Sequence, residues 1–554
     1  MRLAIDIGGT FTDLVLEHGN ELLTKKVLTS ISEPELAVIE GVSELLEENN
    51  IKASDIKMII HGTTLATNAV IERKGAKTCF ITTSGFRDVL DIGYESRFDQ
   101  YDILIDKTMS LVPRKHRYVI DERTDVNGSI ITSIDKDQFY NLITKIKNEN
   151  FESIAVGFLH SYANPDNEKI LKAFLTNELP YVEVSVSSDV CPEIREYERF
   201  TTTVVNAYIK PLMSNYLKKL DQKLLNSGFN CPLLLMTSGG TLTNISSACN
   251  NPVRLVESGP AGGAILATSI AEDMNLSKVI SFDMGGTTAK ITIIENKKAI
   301  KAREFEVDRK ARFKKGSGYP LRIPVIEMVE IGAGGGSIAR VNKLEQIITG
   351  PDSAGSFPGP ACYSNGGSMP TITDADLVIG KINPDNFAGG KIKLSKQLAD
   401  KAITQNIVKF VNIDTNIAAL AISEIVDETM SNAARVHTVE QGHETSNRTL
   451  IAFGGAAPLH IARVAEKLRV SNVIIPTNAS VGSAVGFLKA PVGYEVVKSL
   501  RMLLNRFETD KVNDLLEKMK NEAQGIIQSE TGSMKFVEER VAFMRYAGQG
   551  HEIK

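Results

Sequence analysis

Residues 3–17 read LAIDIGGTFTDLVLE, and the fold turns on how that stretch is read. An apolar run, Leu3-Ala4-Ile5, leads to Asp6. Gly8, Gly9 and Thr10 follow, then polar Thr12-Asp13 and a second apolar run, Leu14-Val15-Leu16. The pattern predicts strand, tight glycine turn, strand. Glycines let the backbone turn with φ > 0 and leave no Cβ between the amides and a ligand. Consecutive amide N–H groups in such a turn form a concave anion site. Asp6 ends a buried strand, where a carboxylate needs a partner, and water on a magnesium ion would suit it. Taken alone, the stretch is either a phosphate hairpin or an ordinary β-hairpin that contains Gly-Gly.

A second copy decides between them. Residues 279–295 read VISFDMGGTTAKITIIE. An apolar run again leads to an aspartate, Asp283, and Gly285, Gly286, Thr287 and Thr288 precede another apolar run. Two copies this far apart are not a solenoid repeat. They imply a duplicated α/β architecture with one hairpin per lobe and a nucleotide between the lobes.

The bulk properties narrow the class. A chain of 554 residues is long enough for about three domains. With 42% hydrophobic and 23% charged residues it has a globular composition. A net charge of −4 gives no electrostatic reason to bind nucleic acid or an anionic membrane. The N-terminus lacks a signal-peptide pattern and no apolar run is long enough to span a bilayer. Five cysteines at wide spacing, with no C-x-x-C, fit reduced thiols in a cytoplasm. Eight scattered histidines, without H-E-x-x-H, give no transition-metal signature.

Strands and helices alternate elsewhere, which argues for α/β layers. Met58-Ile59-Ile60 reads as a buried strand ending at His61-Gly62-Thr63-Thr64, with a helix from Leu65. That junction can receive an anion, or Thr63 or Thr64 can cap the helix. Residues 85–102, GFRDVLDIGYESRFDQYD, mix charge with aromatics as an excursion near a cleft, and Arg97 is either an anion contact or a solvated surface residue. Residues 117–133 predict a hairpin with Asn127-Gly128 at its turn. Residues 193–225 predict a helix with a kink or break at Pro211. In 257–273, ESGPAGGAILATSIAED, Gly-Pro-Ala-Gly-Gly opens a helix whose amides could face a phosphate. The run Gly332 to Gly336, which includes Gly334 and Gly335, is a linker or a backbone surface for a ligand. Its apolar flanks favour the site reading. Leu450–Phe453 leads into Gly454-Gly455-Ala456, where a flat adenosine ring could approach the backbone, or a helix could pack closely on the strand. A helix is expected at about 509–529 and a strand over 537–546.

The paired Asp-x-Gly-Gly-Thr with the later Gly-Gly-Ala turn resembles the actin, sugar-kinase and Hsp70 ATPase superfamily. More closely, the chain resembles the hydantoinase A/5-oxoprolinase family. The motifs that carry this are DIGGTFTD, HGTTLATNA, EYERFTTTVVNAYIKP, SGPAGGA, DMGGTTAK, IGAGGGSIARV, GPDSAGSFPGPACY, TDADLVIG and FGGAAPLH. They run in family order through nearly the whole chain. The resemblance implies a two-lobed, ribonuclease H-like fold with inserted segments: an N-terminal domain at 1–190, a second domain at 191–495, and the start of an incomplete C-terminal domain at 496–554.

It also implies ATP-dependent opening of a cyclic amide such as a hydantoin, 5-oxoproline or a lactam. ATP would phosphorylate the carbonyl oxygen before water attacks. A related branch carboxylates ketones, and an ATP-gated binding module without turnover is a third possibility. On this resemblance Asp6 and Asp283 orient Mg²⁺ through water. Gly8, Gly9, Thr10, Gly285, Gly286, Thr287 and Thr288 hold phosphates, with Gly334 and Gly335 beside them, and Gly454, Gly455 and Ala456 line the adenosine. Asp13 and His61 are candidates for polar work beside the transferred group; each could equally be structural. The chain departs from the family at Tyr94, where arginine is common, which puts the substrate in doubt, and at Glu444-Thr445-Ser446. Many members are completed by a hydantoinase B-like second subunit, the expected partner. Asp13 and Lys290 are where the two hairpins should differ.

Overall fold

The computed structural model describes residues 1–9, 11–30, 33–105, 107–135, 137–309, 315–390, 392–531 and 535–554; Thr10 lies outside the described residues. Strand Arg2–Ile7 pairs antiparallel with Phe11–His18, and Glu21–Leu28 adds a third antiparallel strand. Leu3, Ile5, Ile7, Leu14 and Leu16 enter one core while Ala4 and Val15 enter another. That is the two-residue period of strands buried on both faces. Met58–Thr63 and then Leu233–Met236 extend the sheet in parallel, and Leu242–Asn244 closes it antiparallel.

The second hairpin repeats the plan. Lys278–Met284 pairs antiparallel with Ala289–Glu295, and Thr449–Phe453 and Asn472–Ile474 continue in parallel. Met328–Ile331 pairs with the outer hairpin strand. A core drawn from both sheets, with Ala4, Ile60, Val279 and Ile451, also takes in Ala261 and Ala264 of helix Ser258–Asp273 and Ala484 and Phe487 of helix Gly482–Phe487. The two helices touch so closely that a Cβ on Gly486 would fall 1.8 Å from the Gly262 carbonyl oxygen. This shared core fixes one hairpin against the other.

A four-stranded, all-parallel sheet is inserted into the first lobe, in the order Glu183–Val186, Ser153–Gly157, Thr78–Thr83, Arg117–Ile120. It has a core of its own around Ile81, Phe139, Ile154 and Leu171. Helix Glu196–Asn226 returns the chain to the first lobe and runs 31 residues without ending at Pro211. Phe200 and Val204 anchor it on the inserted unit, and Met213, Leu217 and Leu220 anchor it on the first lobe. Packing on both sides of the proline outweighs one lost backbone hydrogen bond.

Two sequence expectations change. Residues 117–133 do not make one hairpin: Arg117–Ile120 pairs in parallel with Thr78–Thr83, and only Arg123–Thr124 and Ile130–Thr132 form the ladder around Asn127-Gly128. Parallel pairing needs a strand distant in sequence, which local pattern does not reveal. Residues 537–546 form no strand among the described residues, only a single bridge between Met544 and Ile553. Val537, Val541 and Tyr546 are exposed, so no sheet face holds them. Helix Thr509–Thr531 forms as expected.

Candidate active site

Register decides what each hairpin aspartate meets. Asp6 stands opposite Asp13, and Asp283 stands opposite Lys290. Both turns close alike: the Gly8 amide donates to the Phe11 carbonyl at 3.0 Å, and the Gly285 amide to the Thr288 carbonyl at 3.1 Å. Gly9, Gly286 and Thr287 are exposed at the tips and Thr288 is half-buried. The two tips present backbone to solvent, as a phosphate contact requires.

Behind the tips the carboxylates are enclosed. Asp6 Oδ1 is buried with no hydrogen-bond partner among the described residues. A Cβ on Gly259, second residue of helix Ser258–Asp273, would stand 3.2 Å from that oxygen, so the helix N-terminus faces Asp6. Burial first, then the charges of Asp13 and Asp283, push the Asp6 carboxyl up to about 7, against the opposing pull of Lys290 and Lys26. Burial also raises Asp283, to about 6, while Lys290 and the Ser483 hydroxyl, 3.2 Å from Oδ2, hold it down. Asp13 is ion-paired to Lys26, and burial still leaves its carboxyl above the usual range.

These features fit a divalent cation. An orphaned carboxylate oxygen and two aspartates that ionise reluctantly are what a missing positive charge produces. The donors are all oxygen, as Mg²⁺ prefers. Among the described residues no three His, Cys, Asp or Glu side chains converge as a direct chelating group. Asp6 and Asp283 would therefore hold the ion through its own waters.

The structure adds a residue that sequence reasoning missed. Glu257, the cap of helix Ser258–Asp273, has φ +63 and is 4% exposed. Its amide donates 3.1 Å to Thr67 Oγ1. Its Oε2 lies 3.3 Å from Lys290 Nζ, and Glu330 Oε1 lies 3.6 Å from the same nitrogen. Burial works against the lysine's charge, but Glu257, Glu330 and Asp283 outweigh it and raise its pKa. A bulky residue in left-handed backbone beside a cleft marks a position that its surroundings over-determine. The readable signal was an acidic residue placed directly before Ser-Gly-Pro-Ala-Gly-Gly.

Other expected site residues take more specific places. Gly335 and Gly336 donate their amides to the carbonyls of Gly285 (3.0 Å) and Gly286 (2.7 Å). A Cβ on Gly334 would stand 2.5 Å from the Thr287 carbonyl carbon. The glycine run thus lies against the back of the second tip and shapes it, with the Gly335 amide already taken. Gly454, at φ +87, donates to Ala479 O at 2.7 Å, and a Cβ there would meet Asp283 Oδ1 at 2.6 Å. The Ala456 amide donates to Met284 O at 2.9 Å, and Gly455 is exposed. The Gly454–Ala456 turn is therefore tied to the second hairpin.

His61, a candidate for polar work beside the transferred group, lies in the core. It is fully buried, with Nδ1 3.2 Å from the Ile5 carbonyl and Nε2 2.8 Å from Tyr216 Oη. The carbonyl can only accept, so Nδ1 carries the proton and Nε2 accepts from the tyrosine. Burial holds the ring neutral, with its pKa down at about 4. Both nitrogens are used inside the core. Arg97 bonds the Asp102 carbonyl of its own exposed loop, which is the surface reading. Tyr94 donates to Glu198.

Fold and site together define a two-lobed α/β protein in which one helix, Ser258–Asp273, abuts the aspartates of two glycine-tipped hairpins. The chain belongs to the hydantoinase/oxoprolinase family: the model of that family's N-terminal region matches residues 2–179, and the hydantoinase/oxoprolinase model matches residues 199–496. An uncharacterized protein of Methanocaldococcus jannaschii is 38% identical over all of this chain and 81% of its own length. Caprolactamase subunit alpha of Pseudomonas jessenii is 31% identical over all of this chain and 80% of its own. The crystal structure of ATP-dependent caprolactamase from that organism superposes with a TM-score of 0.83, covering the whole chain and 80% of the other. The nucleotide-free structure of acetone carboxylase, described as acting in ATP-dependent acetone carboxylation, does so at 0.82 with 25% identity and the same coverage.

Proposed function

We propose that this chain is the ATP-binding subunit of an enzyme that opens a cyclic amide, such as a hydantoin, 5-oxoproline or a lactam. One observation carries the reading: enclosed Asp6, with an orphaned oxygen, and Asp283 sit behind two matched glycine tips, with the Glu257–Lys290 pair beside them. Its support from relatives is the family itself and the likeness to ATP-dependent caprolactamase over the full chain.

The tips at Gly8-Gly9 and Gly285–Thr288 would hold the phosphates, and Gly454–Ala456 the adenosine. Bound Mg²⁺ would supply charge neutralisation at the phosphates. Lys290 would meet the negative charge of the transferring phosphoryl group, and Glu257 would take a proton from the attacking water. Catalysis of the transfer itself is then positioning and charge neutralisation. The γ-phosphoryl passes to the amide oxygen, water adds at the activated carbon, the ring C–N bond breaks, and carboxylate, amine and phosphate are released. Asp13 would brace Lys26 beside the tip, and His61 would position Asp6 through its hydrogen bond to the carbonyl of neighbouring Ile5. A hydantoinase B-like second subunit would complete the enzyme, since the caprolactamase relative is itself named as a subunit. Five unpaired cysteines fit a cytoplasmic setting. Among the described residues no helix is long and apolar enough to cross a membrane.

The test is ADP release by the purified chain, alone and with its second subunit, over a panel of 5-oxoproline, hydantoins and lactams with Mg-ATP. Release that depends on one class of cyclic amide is expected. No dependence on any member, with both subunits present, contradicts the proposal. Bicarbonate-dependent ATP use with acetone or acetophenone would instead favour ketone carboxylation, the reading that the likeness to acetone carboxylase supports.

A further inference from the structure

The inserted parallel sheet has a crevice of its own. Its strands run through the chain as Thr78–Thr83, Arg117–Ile120, Ser153–Gly157 and Glu183–Val186, but Glu183–Val186 forms the outer edge next to Ser153–Gly157. Ser187 and Ser188 follow directly from that edge strand, and a recess of about 620 Å³ opens there. Its opposite wall comes from residues 494–498 and 522–526. The volume is that of a small-molecule site, and its lining shares no residue with the two hairpins.

Ser188 is 8% exposed. The residue lines the recess; its amide donates 2.8 Å to Glu168 Oε2, and its buried hydroxyl has no partner among the described residues. A buried hydroxyl in a native structure is normally paired, so an open one calls for a ligand atom or an ordered water.

Charge narrows the ligand. Lys172, Lys210, Arg254 and Lys498 line the recess against Asp189 and Glu522, an excess of two positive charges. Lys172 pairs with Asp189 at 2.7 Å and Lys498 with Glu522 at 3.1 Å. Lys210 reaches Glu183 at 3.0 Å. Arg254 differs. It donates 2.9 Å to the Glu495 carbonyl and lies 4.5 Å from the Tyr494 ring centroid, and no carboxylate of the described residues pairs with it. A guanidinium held against an aromatic ring and a carbonyl keeps further N–H groups for a planar carboxylate. Asp189 and Glu522, on facing walls and each shared with one lysine, offer further carboxylate oxygens to an ammonium group.

We infer that this recess is a second binding site, apart from the nucleotide cleft, for a small carboxylate that carries a distal amine. Opening a cyclic amide releases such a molecule, and in naming that ligand class the inference rests on the proposed function. Arg254 takes the carboxylate, Ser188 bonds it or the chain behind it, and the acidic pair receives the amine.

Calorimetry on the full chain without nucleotide tests this, using glutamate, 5-aminopentanoate and 6-aminohexanoate, with pentanoate and pentylamine as single-charge controls. At least one amino acid is expected to bind in the millimolar range or tighter, and more tightly than either control. Arg254→Gln should weaken it at least tenfold and Ser188→Ala by a smaller factor, with melting temperatures checked to separate lost binding from lost fold. Asp6→Asn should leave it unchanged. Absence of binding by all three amino acids overturns the inference, as does binding that ignores both recess variants or vanishes in Asp6→Asn. The site and the function fail separately. Binding without turnover of any cyclic amide would remove the functional reading and keep the site, and turnover without binding would do the reverse.

Discussion

Set side by side, the two hairpins place an aspartate at the same point of the same turn and then surround it differently. Across the first sheet the row is Asp6, Asp13, Lys26. Across the second it is Asp283, Lys290, Glu330. Residues directly opposite on paired strands are close enough for charge to matter. The first row puts two like charges together and leaves Asp6 Oδ1 unpartnered; the second neutralises its aspartate within the row. Duplication has kept the backbone and permuted the charges. The first lobe is built to want a cation, and the second brings one on a lysine that also holds Glu257.

The sharpest way to break this contrast is Lys290→Met. It leaves Glu257 buried without its cation, and removing one partner of a buried pair costs about 3–5 kcal/mol. Urea unfolding should show a loss of that order. The matching change in the first hairpin, Lys26→Met, should cost less, because Lys26 and Asp13 are 26% and 17% exposed against 15% and 4% for Lys290 and Glu257. Equal losses would mean that the two rows are electrically equivalent.

The two lobes also bury histidines in opposite states, and pH separates them. His61 is held neutral, its pKa lowered from 6.5 to about 4 by burial. The unfolded chain takes up that proton first, so this stability is complete above pH 6.5 and is lost as pH falls toward 4. His460 lies between Asp427 Oδ1 at 2.8 Å from Nδ1 and Asp376 Oδ2 at 3.0 Å from Nε2, the latter an ion pair off hydrogen-bond alignment. Burial opposes its charge, but the two aspartates prevail and raise it to about 9. The folded chain holds that proton longer, so this contribution is complete below pH 6.5 and is lost as pH rises through 9. At about 1.4 kcal/mol per unit, each limb amounts to a few kcal/mol. Melting temperature against pH should lose its acid slope in His61→Gln and its alkaline slope in His460→Gln.

The hairpins were legible because their signal is local: an apolar run, an aspartate, two glycines and a second run within about fifteen residues. The carboxylates at positions 6 and 283 and the Gly454 turn could be named for the same reason. What escaped depends on pairing over long distances. Glu257 matters only because its helix end meets Lys290 and Asp6 from other elements. His61 reads as a polar residue at a strand end, yet Tyr216, 155 residues later, takes its free nitrogen. Gly334 and Gly335 read as a ligand surface, but the surface they serve is the other hairpin. Arg117–Ile120 reads as a hairpin strand until Thr78–Thr83 is placed beside it. The charge permutation itself was visible in part, since Asp13 and Lys290 stand out once the two copies are aligned.

The central claim is that the two aspartates act on one metal–nucleotide complex from opposite sides. Mg-ATP titration of the full chain and of Asp6→Asn, Asp283→Asn and the double variant tests it most directly. Each single change should weaken Mg-dependent ATP affinity at least tenfold, about 1.4 kcal/mol. The double variant should lose clearly less than the sum, because both residues hold the same ion. Unchanged affinity in Asp6→Asn, or losses in the double variant that add fully, would contradict a shared clamp.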